Sequence, residues 1–255
     1  MLLAIDAGNT HTVVGLYDGD QLLEPWRLAT NSERTSDEHG LLVRQLLDLR
    51  SATLGDVTGV VISSTVPRLT AALREMAERY FAVPPVVLEP GARTGMPILY
   101  ENPREVGPDR IANAVGAHDL YGGPVIVVDF GTATTVDATS VDGEYLGGAI
   151  MPGVEVSLDA LFARAAALFR VKLTGPRRVI GRNTVESVQS GTLYGTGAAV
   201  DGLCRRFEDE LGPCRVVSTG GLGELIAPFS EKIETHDPWL TLHGLRLIFE
   251  RNRPS

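Results

Sequence analysis

Met1-Leu-Leu-Ala-Ile-Asp6-Ala7-Gly8-Asn9-Thr10 and Val125-Ile-Val-Val-Asp129-Phe130-Gly131-Thr132-Ala133-Thr134-Thr135 are two versions of one pattern. In each, an apolar run ends in an aspartate, and a tight glycine turn rich in hydroxyl or amide side chains follows. A second short strand-like run comes next, His11 to Tyr17 in one copy and Thr135 to Thr139 in the other. An Asp-Gly turn, Asp18-Gly19 or Asp142-Gly143, then leads to a third strand. A unit of this length repeated in 255 residues predicts a duplicated domain, here divided as 1–122 and 123–255. The glycine lets the backbone approach a phosphate, and the surrounding hydroxyl and amide groups donate to its oxygens. The aspartate at each strand end can hold a cation or orient water. Two facing copies would make a two-sided phosphate clamp.

Composition narrows the classes of function. The chain is 44% hydrophobic and 22% charged, the balance of a globular protein that buries real cores. A formal net charge of −9 speaks against nucleic acid as a partner, because that footprint needs clustered Lys and Arg. The N-terminus reaches Asp6 too soon for a signal peptide, and no membrane-spanning run occurs, which together point to the cytoplasm. Cys204 and Cys214 lack the paired spacing of a zinc or redox motif and read as reduced structural thiols.

Between the two patterns the chain reads as alternating elements. Thr35-Ser36-Asp37-Glu38 is a capping box ahead of an amphipathic run of leucines. Gly59 to Ser64 is a β-branched strand, Leu69 to Phe81 a helix, and Val86 to Leu88 a short strand. A helix follows Gly107-Pro108 to Tyr121, since proline suits a first helical turn. After the second pattern, helices are expected near Ser157 to Phe169 and from Asn183 to Leu211. A strand at Arg215 to Ser218, a short helix near Gly223 to Ala227, a last strand at Lys232 to Glu234 and a terminal helix from Leu240 complete the chain. Gly191, Gly195, Gly197 and Gly202 each weaken the long helix by about 1 kcal/mol relative to alanine, which predicts close packing there against another helix or a partner subunit.

Ser218-Thr219-Gly220-Gly221 is a third glycine turn after a strand. The three turns in this order resemble the acetate kinase, sugar kinase, Hsp70 and actin superfamily, whose α/β fold is two duplicated ribonuclease H-like domains with two phosphate loops and a Gly-Gly turn at adenosine. A narrower resemblance rests on Gly107-Pro108-Asp109-Arg110, Val127 to Thr135, Gly147-Gly148-Ala149-Ile150-Met151-Pro152-Gly153, and Asn183-Thr184 with Ser190-Gly191. With Arg34-Thr35, Asp37-Glu38 and the Leu240 to Leu245 region, these cover essentially the whole chain and resemble type III pantothenate kinase.

That resemblance implies ATP-dependent phosphorylation of pantothenate to 4′-phosphopantothenate, the first step of coenzyme A synthesis. It also implies magnesium with ATP, a monovalent cation (potassium or ammonium), and a homodimer. By the same resemblance, Asp6, Ala7, Gly8, Asn9, Thr10, His11, Thr12 and Val13 form the first ATP loop, and Thr132 is a second ATP contact. Asp109 matches the proton acceptor, within the substrate turn Gly107, Pro108, Asp109, Arg110; Tyr100 and Thr184 match further pantothenate contacts, and Asp129 the cation ligand.

Elementary chemistry agrees with these roles. Phosphoryl transfer passes through a loose transition state, so positioning and charge stabilisation matter more than a strong base. A carboxylate in the first turn of a helix is kept ionised by the backbone dipole and can accept a hydroxyl proton, and Arg110 offers a fork for a carboxylate of the substrate. On residue type alone Asp109 reads as a helix cap, Arg110 as a surface ion pair, Thr184 as a routine first-turn residue and Tyr100 as a half-buried aromatic. Two alternatives stand beside the kinase: a superfamily kinase for another small hydroxyl compound such as a sugar, and a non-catalytic nucleotide-binding regulator resembling the Bvg accessory factors.

Overall fold

The computed structural model describes residues 1–253, which form two compact units. The first holds Met1–Gly116 and the segment from Trp239 on; the second holds Ala117–Pro238. In the first unit β1 (Leu2–Ala7), β2 (His11–Asp18) and β3 (Gln21–Ala29) form an antiparallel meander. The β2–β3 loop is Gly19-Asp20, with Gly19 at φ +59°, the first-position glycine that a type II′ hairpin turn uses. α1 (Ser36–Asp48) opens on the expected capping box, in which Thr35 accepts from the Glu38 amide and Glu38 accepts from the Thr35 amide. These bonds to Thr35 hold the Glu38 carboxyl below its ordinary pKa.

β4 (Gly59–Ser64) adds parallel to β1, α2 (Pro67–Met76) starts on its proline, and β5 (Val86–Val87) ends the sheet in the order β3-β2-β1-β4-β5. β1 is buried almost throughout, as a central strand covered on both faces must be. Leu3, Ile5, Leu16, Leu47, Ile62, Leu69 and Leu73 form the core on its α1 and α2 side. The helix expected to end at Phe81 widens into a π-turn at Ala77–Phe81, and α3 (Pro108–Tyr121) begins at its proline.

The second unit repeats the plan. β6 (Val125–Phe130), β7 (Ala133–Thr139) and β8 (Tyr145–Pro152) are a meander, followed by α4 (Val154–Arg164), α5 (Thr184–Leu211), β9 (Arg215–Thr219), α6 (Gly223–Ile226) and β10 (Thr235–His236). The sheet order β10-β9-β6-β7-β8 is the first unit's order restated, with β9 parallel to β6 as β4 is to β1. The fold is α/β, built from two ribonuclease H-like halves.

Three expectations shift. α4 starts at Val154, immediately after the strand-ending Pro152 and the N-cap Gly153, and it stops at Arg164. The last strand lies at Thr235–His236 because the buried Asp201 carboxylate accepts from the amides of Glu231 and Lys232 and from the Ser230 hydroxyl, winding that segment into a turn. The single division at 122/123 does not coincide with the compact units. α7 (Leu240–Asn252) returns to the first unit, where Leu242 and Phe249 pack against β2 and β4, and its end is tied by Arg251 and Asn252 to Thr94 and Arg93.

In α5 close packing is met within the chain at Gly197, where an added Cβ would lie 2.1 Å from the Phe229 carbonyl oxygen. Gly191 and Gly195 have nothing within 4 Å of that position; they open on a hollow of about 390 Å³ lined also by Met151, Leu158 and Leu161. Cys204 and Cys214 are buried and unpaired, and burial pushes the Cys204 thiol up to about 12, so it stays an inert thiol. Among the described residues no helix is long and apolar enough to cross a membrane.

Candidate active site

The first glycine turn occupies the gap between β1 and β2. Gly8 donates its amide to the His11 carbonyl at 3.0 Å, which closes residues 8–11 into a tight loop and leaves Asn9, Thr10 and His11 exposed at its tip. Asp6, at the end of β1, accepts a 2.9 Å hydrogen bond from Ser63, its fully buried neighbour on β4. Thr65 donates its amide to Ala7 at 3.3 Å, so the end of β4 braces the loop from the side. Ala7, Thr12 and Val13 carry the loop into the sheet.

In the same unit Gly107-Pro108-Asp109-Arg110 forms the start of α3. Asp109 lies in the first helical turn, and its Oδ1 accepts from the Arg110 amide at 2.9 Å. The carboxylate folds back over Gly107, where an added Cβ would stand 2.5 Å from Asp109 Oδ1 and push the carboxylate aside. Asp109 stays half-exposed beside a helix N-terminus, while Arg110 is buried. Pro108 and Ile111, on either side of this pair, reach the wall of a cavity of about 900 Å³ that also takes in Asn102 and Arg104. Tyr100 is half-buried in the loop preceding this segment.

The second unit assembles the other turns. Asp129 ends β6, directly opposite Thr135 on β7 and Thr219 on β9. Gly131 donates to the Ala133 carbonyl at 3.1 Å, a closure one residue tighter than that of the first loop, and Thr132 is exposed at the tip. Gly220, at φ +90°, lets its turn lie against Asp129: a Cβ there would be 2.4 Å from Asp129 Oδ1. The second glycine turn and the Gly-Gly turn thus meet around one carboxylate. Ser218 Oγ lies 3.1 Å from His236 Nδ1, and burial pushes that imidazole below its usual pKa. Thr184 is exposed at the start of α5, after the N-cap Asn183.

Pattern alone misses the supporting residues. Ser63 beneath Asp6 is one. Asp137 is another, 1% exposed, accepting from Tyr145 at 2.7 Å and Thr135 at 2.8 Å and so fixing β7 behind the second turn. Thr30, which bonds the first loop, is a third. Ser63 and Asp137 come to light only in the strand register, opposite Asp6 and Val127, and Thr30 only through its bonds to the loop.

Among the described residues no group of three His, Cys, Asp or Glu side chains gathers as a metal cluster. A monovalent cation needs no such cluster. A carboxylate such as that of Asp129 is a hard oxygen donor, which suits it. The exposed, amide-rich tips at Asn9–Thr10 and Thr132 suit phosphate oxygens.

Two duplicated halves, each with a closed glycine turn after a strand-end aspartate, give the α/β fold of two ribonuclease H-like domains that the sequence leads one to expect. Solved structures bear out the fold. A protein described as a Baf family transcriptional activator of Campylobacter jejuni matches at a TM-score of 0.60 with 20% identity, over 98% of both chains. The activator of 2-hydroxyisocaproyl-CoA dehydratase from Clostridium difficile, with bound ADPNP, matches at 0.55 with 12% identity, over 98% of this chain and 94% of that one. The model of the type III pantothenate kinase family matches residues 2–206. Type III pantothenate kinases of Myxococcus xanthus and Acidothermus cellulolyticus are 56% and 53% identical to the chain, each over 100% of both sequences. The chain belongs to the type III pantothenate kinase family, a family of phosphotransferases.

Proposed function

We propose that the chain transfers the γ-phosphoryl group of ATP to the primary hydroxyl of pantothenate, the step that opens coenzyme A synthesis. The observation that carries this reading, beside family membership, is Asp109: a half-exposed carboxylate in the first turn of α3, with a glycine at 107 to make room for it. In this reading Asp109 accepts the hydroxyl proton as the new P–O bond forms, and the buried Arg110 orients the substrate carboxylate together with Tyr100 and Thr184. The loops of Asp6 to Val13 and Thr132 take the ATP phosphates. Asp129 would hold a monovalent cation, which with magnesium bound to ATP would supply charge neutralisation on those phosphates. A coupled assay with pantothenate, ATP and magnesium tests the reading. Turnover with a sugar and none with pantothenate would move the chain to another small-hydroxyl kinase, and nucleotide binding with no turnover on either would make it a regulator.

Asp129 carries the expected potassium response. Asp129→Ala is expected to lose the activation that potassium gives the parent, with sodium a poor substitute in the parent, because cavity size and ligand number select the ion. A parent indifferent to potassium would leave Asp129 a magnesium or water ligand.

Gly191 and Gly195 support a dimer. Their open positions, beside exposed Leu161, leave a small-residue surface on α5 that a second copy would cover about a two-fold axis, and Thr184 at the start of α5 would then complete the partner's substrate site. Gly195→Leu is expected to shift light scattering toward monomer and to raise the Michaelis constant for pantothenate more than that for ATP. A fully active parent monomer would overturn this.

A further inference from the structure

Thr30, the residue that follows β3, stands outside the glycine-turn pattern, yet it makes three bonds to that region. Its hydroxyl donates to the Gly8 carbonyl at 2.7 Å, its Oγ1 lies 2.8 Å from Thr12 Oγ1, and its amide donates to the Thr10 carbonyl at 3.0 Å. With the Thr30 proton committed to Gly8, the Thr12 hydroxyl is the donor between the two threonines. This makes a directed chain from Thr12 through Thr30 to the loop. Because a trans peptide points its N–H opposite to its C=O, drawing the Gly8 carbonyl toward Thr30 turns the Asn9 N–H the other way, away from the end of β3.

The second unit solves the same problem differently. His11 faces Ala29 in the first meander and Ala133 faces Pro152 in the second, so Gly153 occupies the place of Thr30 and Thr134 that of Thr12. Gly153 packs its backbone directly on the turn, where an added Cβ would lie 2.1 Å from the Thr132 oxygen and 2.7 Å from that of Gly131. Thr134, 1% exposed, is left with a buried hydroxyl that has no hydrogen-bond partner, as expected where its counterpart's side chain is missing. One turn has main chain packed directly against it. The other adds a side-chain hydroxyl to its main-chain bonds.

We infer that Thr30 is a positioning residue of the first phosphate turn, a hydroxyl latch that sets how well Asn9 presents its amide to ATP. The inference rests on the reading that this turn cradles nucleotide phosphate. Its test pairs Thr30→Val, which keeps the shape and removes the hydroxyl, with Thr30→Ser, which restores it. Loss of such a bond is expected to raise the ATP Michaelis constant, and the ATP dissociation constant measured by calorimetry without pantothenate, by about five-fold. The Michaelis constant for pantothenate is expected to stay within about two-fold, a split that general loss of structure would not give. Thr30→Ser is expected to bind ATP like the parent. Should Thr30→Val fail to fold, Thr30→Ala takes its place in the same comparison. A folded Thr30→Val or Thr30→Ala that binds ATP as the parent does overturns the latch alone, whereas a parent that binds no ATP overturns the nucleotide reading and the latch with it.

Discussion

Asp109→Asn is expected to lower kcat by about 10²- to 10⁴-fold, the usual contribution of a positioned general base, or roughly 3 to 5 kcal/mol of barrier. The substitution separates two roles that this residue can play. As a cap, Asp109 accepts the Arg110 amide at 2.9 Å through one oxygen, and the asparagine carbonyl keeps that bond. As a base, it must take a proton, and an amide does not. The fold and the melting temperature are therefore expected to hold while turnover collapses. The binding constant for pantothenate should move far less than kcat, since the space over Gly107 is filled by a side chain of the same shape. Near-normal turnover by a folded Asp109→Asn would reduce the residue to a helix cap.

Gly220→Ala is the second large effect. At φ +90° a Cβ is strained by about 1 to 3 kcal/mol whatever surrounds it, and here it would also stand 2.4 Å from Asp129 Oδ1 and 2.7 Å from the Phe130 backbone. Relief requires the Asp129 carboxylate or the turn to move, and a misplacement of that order near reacting groups is expected to cost about 10²-fold in activity. Gly212→Ala is the control: its φ of +82° brings the same strain, but an added Cβ meets nothing within 4 Å. Thermal melting should fall for both variants and kinase activity for Gly220→Ala alone. Equal activity in the two would show that Asp129 adapts and that the contact has no functional weight.

The elements that a single chain segment determines were legible before any coordinates. Both glycine turns sit where an apolar run meets an aspartate, because the strand's burial and the turn's conformational demand are local. The Thr35–Glu38 capping box is local in the same sense, and it forms. What could not be read depends on partners distant in sequence. Lys232 to Glu234 has the look of a strand, yet the buried carboxylate of Asp201, on another helix, captures its first amides and delays pairing to Thr235. The positions of Asp6 and Asp129 were plain, whereas Ser63 beneath one and Gly220 against the other follow only from the register of parallel strands, which sequence periodicity leaves open. Thr30 was invisible for the same reason: an isolated threonine after a strand carries no signal until the loop it holds is seen.

The placement of α7 has a consequence for biosynthesis. The second unit, Ala117–Pro238, is one uninterrupted stretch of chain, whereas the sheet of the first is covered by Leu242 and Phe249 of a helix made only after that stretch. A chain emerging from the ribosome therefore exposes Gly15, Gly59 and the apolar strand surface around them until translation has passed residue 249, by which point every residue of the later unit has been made. The half that is translated first is the half that finishes folding last, and during that interval its bare sheet is the part of the nascent protein most in need of a chaperone.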